Sequence, residues 1–138
     1  MSIVQTQTTS FKVQLYQAIH DLSTDTIKIA LYTGAADLNA DTTVYTTTNE
    51  VVASGYTAGG QVMTGVSISS SGYVAYANWA NVVWTAALTA RCALIYNASK
   101  GNKSVAVLDF GSDKTSTTTF TITMPSNTST TALIRSSN

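Results

Sequence analysis

Asp109-Phe110-Gly111 is the one stretch of this chain that spells a known piece of chemistry, the tripeptide whose aspartate holds magnesium in protein kinases. That chemistry also needs a glycine-rich phosphate loop, a paired lysine and a catalytic loop. A chain of 138 residues is too short for that fold and carries none of the other parts. The tripeptide therefore reads structurally: Phe110 ends a strand, Asp109 leans to a solvent-facing or turn partner, and Gly111 permits a tight turn. Asp37, Asn39 and Asp41 alternate like the first half of an EF-hand calcium loop. That loop wants Gly at its sixth position and Glu at its twelfth, where this chain has Thr42 and Thr48, with Glu50 two residues late. An Asx-rich turn accounts for the same three residues, since short Asp and Asn side chains mimic backbone turns. They are the only metal candidates, and neither a metal nor a cofactor is expected.

The remaining reactive groups do not assemble into a site. With one imidazole, His20, and one thiol, Cys92, the Ser–His–Asp, Cys–His and zinc constellations all lack pieces. His20 is expected at the C-terminal end of a helix, where it would cap carbonyls. Cys92, within a run of small and apolar residues, is expected to be a buried structural thiol. Seven acids are present, but no spacing marks two of them as a glycosidase pair. Tyr32, Tyr45, Tyr56, Tyr73, Tyr76, Tyr96, Trp79 and Trp84 would suit either a carbohydrate-stacking face or cross-strand packing, the commoner use of strand aromatics. Asn97-Ala98-Ser99 and Asn102-Lys103-Ser104 fit the glycosylation sequon, which counts only in a secreted chain. No catalytic residue is identified, and the chain is expected not to be an enzyme.

The scaffold that would carry these residues is legible in period and composition. Residues 1–9 are polar and aperiodic, an expected extended or disordered arm. Ser10 is placed to cap one helix over residues 10–22, with Phe11, Leu15, Ala18, Ile19 and Leu22 as its apolar stripe. From Asp25 onward the period becomes two. Strands are expected over 27–32, 42–52, 61–68, 73–79, 90–96, 105–110, 120–124 and 131–135. The strongest signal is the pair of apolar, β-branched runs on either side of the 97–103 turn. About eight strands at this spacing predict a mainly β fold, a single β-sandwich (jelly-roll or immunoglobulin-like) over 10–138 with one N-terminal helix.

Charge narrows the function classes. Only 10% of residues are charged, against about 25% in typical domains, and the net charge is zero. Lys100 and Lys103 are the nearest thing to a basic cluster, so nucleic-acid binding is not expected. No apolar run approaches the roughly 20 residues needed to span a bilayer, and with no cationic stretch followed by an apolar core near residue 1, a secretory signal is not expected. The polar surface must be Ser, Thr, Asn and Gln, which lets many copies pack with little electrostatic repulsion.

Residues 25–51 (DTIKIALYTGAADLNADTTVYTTTNEV), then GYTAGG at 55–60, then ALTARCALIYNASKGNKSVAVLDFGSDKT at 87–115 resemble, in this order, a family of small structural proteins of tailed bacteriophages. The resemblance covers most of the chain from residue 25 on and implies a non-enzymatic virion component, made in the host cytoplasm. Its implied partners are major capsid or other virion proteins and further copies of itself. Decoration or cementing of the head is the favoured placement, because the chain is small and lacks fibrous repeats. The alternatives are a tail- or neck-associated accessory and a carbohydrate-binding module that uses the aromatic residues on host glycans.

Overall fold

Period-two alternation decides the centre of the molecule, and long-range pairing decides its margins. The computed structural model describes residues 2–137, so the first residue of the expected arm and the last of the expected domain lie outside it. In chain order the elements are β1 (Thr6–Gln7), α1 (Thr9–Tyr16), β2 (Ile27–Tyr32), β3 (Gln61–Val62), β4 (Ser67–Ser71) and β5 (Val74–Asn78). They continue with β6 (Val82–Trp84), β7 (Thr89–Asn97), a single 3-10 turn (Ala98–Lys100), β8 (Lys103–Thr115), β9 (Phe120–Ile122) and β10 (Ile134–Ser136). The chain is mainly β with one helix, built as a sandwich of antiparallel sheets.

One layer is a five-stranded sheet in the order β1-β8-β7-β2-β3. The other consists of β10-β5-β4 and the pair β6-β9. Ile29 faces Ile95 and Leu31 faces Ala93 across the β2–β7 ladder. These four enter the core shared with Trp79, Val82, Trp84, Phe120, Ile122 and Ile134 of the second layer. The alternate residues Ala30, Tyr32, Cys92, Leu94 and Tyr96 point the other way, yet they too are buried. Their cover comes from the N-terminal arm and the long 33–60 segment, which contribute Ile3, Ala36, Leu38 and Tyr45. The central strands are therefore apolar on both faces, as a sheet covered on both sides requires.

The 33–60 segment holds this position with almost no regular structure. The 42–52 run, expected as a strand, makes only isolated bridges, Val44 to Lys103 and Glu50 to Tyr32. Gly60 fixes its return. A side chain there would meet the Ile29 carbonyl oxygen at 1.8 Å, and its φ of +77° suits glycine.

Several boundaries differ from expectation. The arm is not loose: β1 pairs with Ala106 and Val107 of β8, and the Val4 N–H donates to the Leu38 carbonyl at 3.0 Å. Thr8, not Ser10, caps the helix, accepting from the Phe11 N–H at 3.3 Å. Its hydroxyl also accepts from Ser104 at 2.9 Å, so a tertiary contact chose between the two candidates. The helix stops at Tyr16 because Ala18 turns left-handed at φ +59°. The Ile19 N–H then bonds Gln14 O and the Ala18 N–H bonds Leu15 O, a Schellman closure without its usual glycine. Of the expected stripe only Phe11 is buried, while Leu15 is 37% exposed.

The 61–68 run breaks at Gly65, φ +67°, into β3 and β4. Strand β8 runs five residues beyond Phe110 through an irregular stretch opposite Arg91, and Gly111 sits inside it at φ +83° rather than in a terminal turn. Among the described residues ten strands replace the eight expected, with β1 and β6 unforeseen and the last strand displaced to Ile134–Ser136.

Candidate functional site

Two carboxylates, the buried Glu50 and the half-buried Asp25, mark the polar centres of the molecule, and sequence reasoning singled out neither. Glu50, 7% exposed, lies where the 33–60 segment crosses the outer face of the five-stranded sheet. Its Oε1 accepts from the Tyr45 hydroxyl at 2.6 Å. Its Oε2 accepts from the Tyr56 hydroxyl at 2.6 Å and the Gly59 N–H at 2.8 Å. Tyr96 of β7 closes the ring by donating to the Gly59 carbonyl at 2.6 Å, and its ring stacks on Tyr45 with centroids 4.7 Å apart. Tyr56 in turn accepts from the Leu31 N–H at 2.8 Å. Burial, then Glu50, pushes the Tyr96 phenol up to about 12 and those of Tyr32, Tyr45 and Tyr56 higher still. All four are neutral donors at physiological pH. The cluster is a clasp that holds an irregular segment to a sheet, with each carboxylate oxygen in use.

The second centre joins the end of the helix to the end of β7. The Asn97 amide nitrogen lies 2.9 Å from His20 Nδ1 and donates to Asp25 Oδ2 at 2.8 Å. His20 Nε2 lies 2.7 Å from the Gln14 side-chain oxygen. A neutral imidazole protonated on Nε2 satisfies both contacts, donating to Gln14 and accepting from Asn97. Burial lowers the His20 pKa, in agreement. Burial raises the Asp25 carboxyl, but hydrogen bonds from Asn97, the Asp21 N–H and Lys100 outweigh it and leave it below the usual carboxylate range. Lys100 Nζ sits 3.1 Å from both Asp25 oxygens. His20 is thus 8% exposed and bonded to side chains, rather than capping helix carbonyls as expected.

The other singled-out residues are dispersed. Asp37 accepts from the Ser2 N–H and from the Asn39 amide, while Asn39 accepts from the Asp41 N–H at 2.9 Å. These bonds form an Asx turn that also anchors the arm. Among the described residues, no group of three or more His, Cys, Asp or Glu side chains is arranged to hold a metal. Asp109 pairs with Arg91 and accepts from the Gly111 N–H at 2.8 Å. Cys92 is fully buried, and burial pushes its thiol up to about 11. Asn97 of the first sequon is fully buried. Trp79 and Trp84 are 5% and 2% exposed, so neither presents a face to a sugar, and the rings that do stand free are Tyr16 and Tyr73.

A concavity of about 980 Å³ runs along the open flank between β8 and the β9–β10 side of the second layer. Leu108, Phe110 and Phe120 line it, and Lys114 and Arg135 are the only charged residues on its wall. That wall offers no carboxylate, imidazole or thiol. No helix among the described residues is long and apolar enough to cross a membrane. The chain matches no protein-family model, no curated protein and no solved structure.

Proposed function

We propose that this chain is a non-enzymatic structural protein of a tailed-phage virion, which decorates or cements the head by binding neighbouring capsid subunits. One observation carries the non-enzymatic part. Glu50, Asp25 and the single imidazole are spent on internal hydrogen bonds, while the concavity between β8 and the β9–β10 side is lined by no carboxylate, imidazole or thiol. Polar chemistry in this molecule holds segments in place. The virion part rests on the resemblance of residues 25–51, 55–60 and 87–115 to small phage structural proteins. A surface with little charge, suited to packing in many copies, supports it. The carbohydrate-binding alternative loses its main support with the burial of both tryptophans.

The test is the composition of purified particles. An abundant band near 14.5 kDa that co-sediments with intact virions is expected. Absence of the chain from particles overturns the proposal. A reconstruction of the particle then separates head decoration from a tail or neck position.

A further inference from the structure

Every sheet in this molecule ends in strand edges, and all but one are blunted. The edge strands β1 and β3 have two residues each, and β6, β9 and β10 have three. Beyond Val107 the outer edge of β8 is unpaired, but its stretch opposite Arg91 is irregular, contains Gly111 at φ +83°, and carries Asp109, Asp113 and Lys114. Short length, irregularity and charge are the devices that keep edges from pairing with other chains. Strand β4 has none of them. Its five residues, Ser-Ile-Ser-Ser-Ser, pair with β5 in unbroken register and include no charge and no proline. Its other edge has no strand partner among the described residues. Four of the five residues are exposed, and Ile68 is 55% exposed.

We infer that β4 is a self-association edge, and that its partner is β4 of a second copy, antiparallel about a two-fold axis through Ser69. Centring on the middle residue pairs all five positions: Ser69 with Ser69, Ile68 with Ser70, and Ser67 with Ser71. This register makes the two Ile68 side chains diagonal neighbours on one face, within reach of each other. A second copy is favoured over a foreign peptide because the uncharged strand meets itself without repulsion and its one large apolar side chain finds its own counterpart. The product is a six-stranded sheet, β10-β5-β4 continued into β4-β5-β10, with the same patch used on both copies. The inference stands on the strand edge and does not depend on the virion reading. A contact of this length falls below the roughly 1,200 Å² of a standard interface, so association is weak and concentration-dependent.

Sedimentation of the full chain from about 1 μM to about 1 mM tests it, a span matching weak affinities. The wild type is expected to shift from monomer to dimer. Ser69→Lys and Ser69→Asp each place like charges directly opposite, and each is expected to weaken association at least about tenfold. An equimolar mixture of the two is expected to associate again, because opposite charges then meet. A wild type that is monomeric throughout overturns the inference. Variants that associate as well as the wild type also overturn it, and move the contact elsewhere, to the β8–β9 flank for instance. A mixture no better than its components does the same for the Ser69-centred register. If a variant loses its circular-dichroism spectrum, amide exchange on the wild type decides: slower exchange within Ser67–Ser71 at high concentration is expected, and no concentration dependence overturns the pairing.

Discussion

Two hairpins of this molecule begin from the same local rules and end in opposite environments. In β7–β8 the turn at 98–102 joins strands whose two faces are both buried, so Cys92 through Asn97 are almost inaccessible. In β4–β5 the two-residue turn Gly72-Tyr73 joins an exposed strand, β4, to a half-buried one, β5, and Tyr73 is 95% exposed. Both pair in antiparallel register, and both turn on glycines at positive φ, Gly101 and Gly72. What separates them is cover. The inner hairpin lies under the 33–60 segment and the N-terminal arm on one side and the second sheet on the other. The outer hairpin is covered on one side only, where Ala77 of β5 enters the core, and β4 stands open. Strand pairing alone therefore fixes geometry, while stability comes from what is laid over the strands.

The widest contrast should appear in side-chain truncation. Ile95→Ala removes a fully buried side chain and is expected to cost about 2–5 kcal/mol, whereas Ile68→Ala is expected to stay within about 0.5 kcal/mol. Chemical denaturation measures both, and equal losses would erase the distinction between the hairpins. Next comes the clasp over the inner hairpin. Glu50→Ala strands the Tyr45 and Tyr56 hydroxyls and the Gly59 N–H, with an expected loss of about 1–3 kcal/mol. Glu50→Gln, which retains an acceptor oxygen, should lose less in the same measurement.

Removing residues 1–7 should then cost about 1–2 kcal/mol, since it takes away the β1 pairing and the Leu38 backbone bonds, each with a net worth of about 0.5–1.5 kcal/mol, less the entropy the arm regains. An unchanged melting temperature would mean that the arm lies on the sheet without supporting it. The smallest effect is set by pH. Burial depresses the folded pKa of His20, so below its ordinary value of 6.5 the unfolded chain binds the extra proton and the folded chain resists it. His20 therefore contributes full stability above pH 6.5, and this is lost as pH falls from there toward the folded value. Melting temperature should decline through that window, and His20→Gln should flatten the decline.

Legibility followed the same division. Strands β2 and β7 were readable because alternation is a local property, and the β7–β8 hairpin because its turn residues are diagnostic. The helix was half readable. Its presence and the burial of Phe11 were legible, but the rest of the expected stripe is not buried, and its end depends on Ala18 adopting a left-handed conformation that its residue type does not announce. Strand β1 was invisible because its partner lies about 100 residues away. The expected alternation of Val62, Thr64, Val66 and Ile68 fails at Gly65, and Met63 is buried in place of Val62. Glu50 entered only as a glutamate two places late for a calcium loop. Which of the seven acids becomes buried depends on how the segment folds back onto Tyr96 of β7 through Gly59, though Tyr45 and Tyr56 on either side of Glu50 were a usable hint. Of the two sequence-adjacent clusters, DLNAD forms the Asx turn its residue types favour, whereas Asp109-Phe110-Gly111 lies inside β8 rather than at its end.

The pairing of β1 with β8 also sets an order of events during synthesis. Thr6 and Gln7 bond to Val107 and Ala106, and the Gln7 side chain reaches the Arg135 carbonyl. At roughly 5–20 residues per second, about 5–20 s pass between emergence of the arm and emergence of its partner strand. Throughout that interval Thr6 and Gln7 lack their partner strand, while the Ser2 and Val4 backbone bonds go to Leu38, which emerges much sooner. β1 is made early and docks late. Every nascent chain thus passes through a stage in which β1 is free for capture, and loops that must close across most of the chain slow the finish.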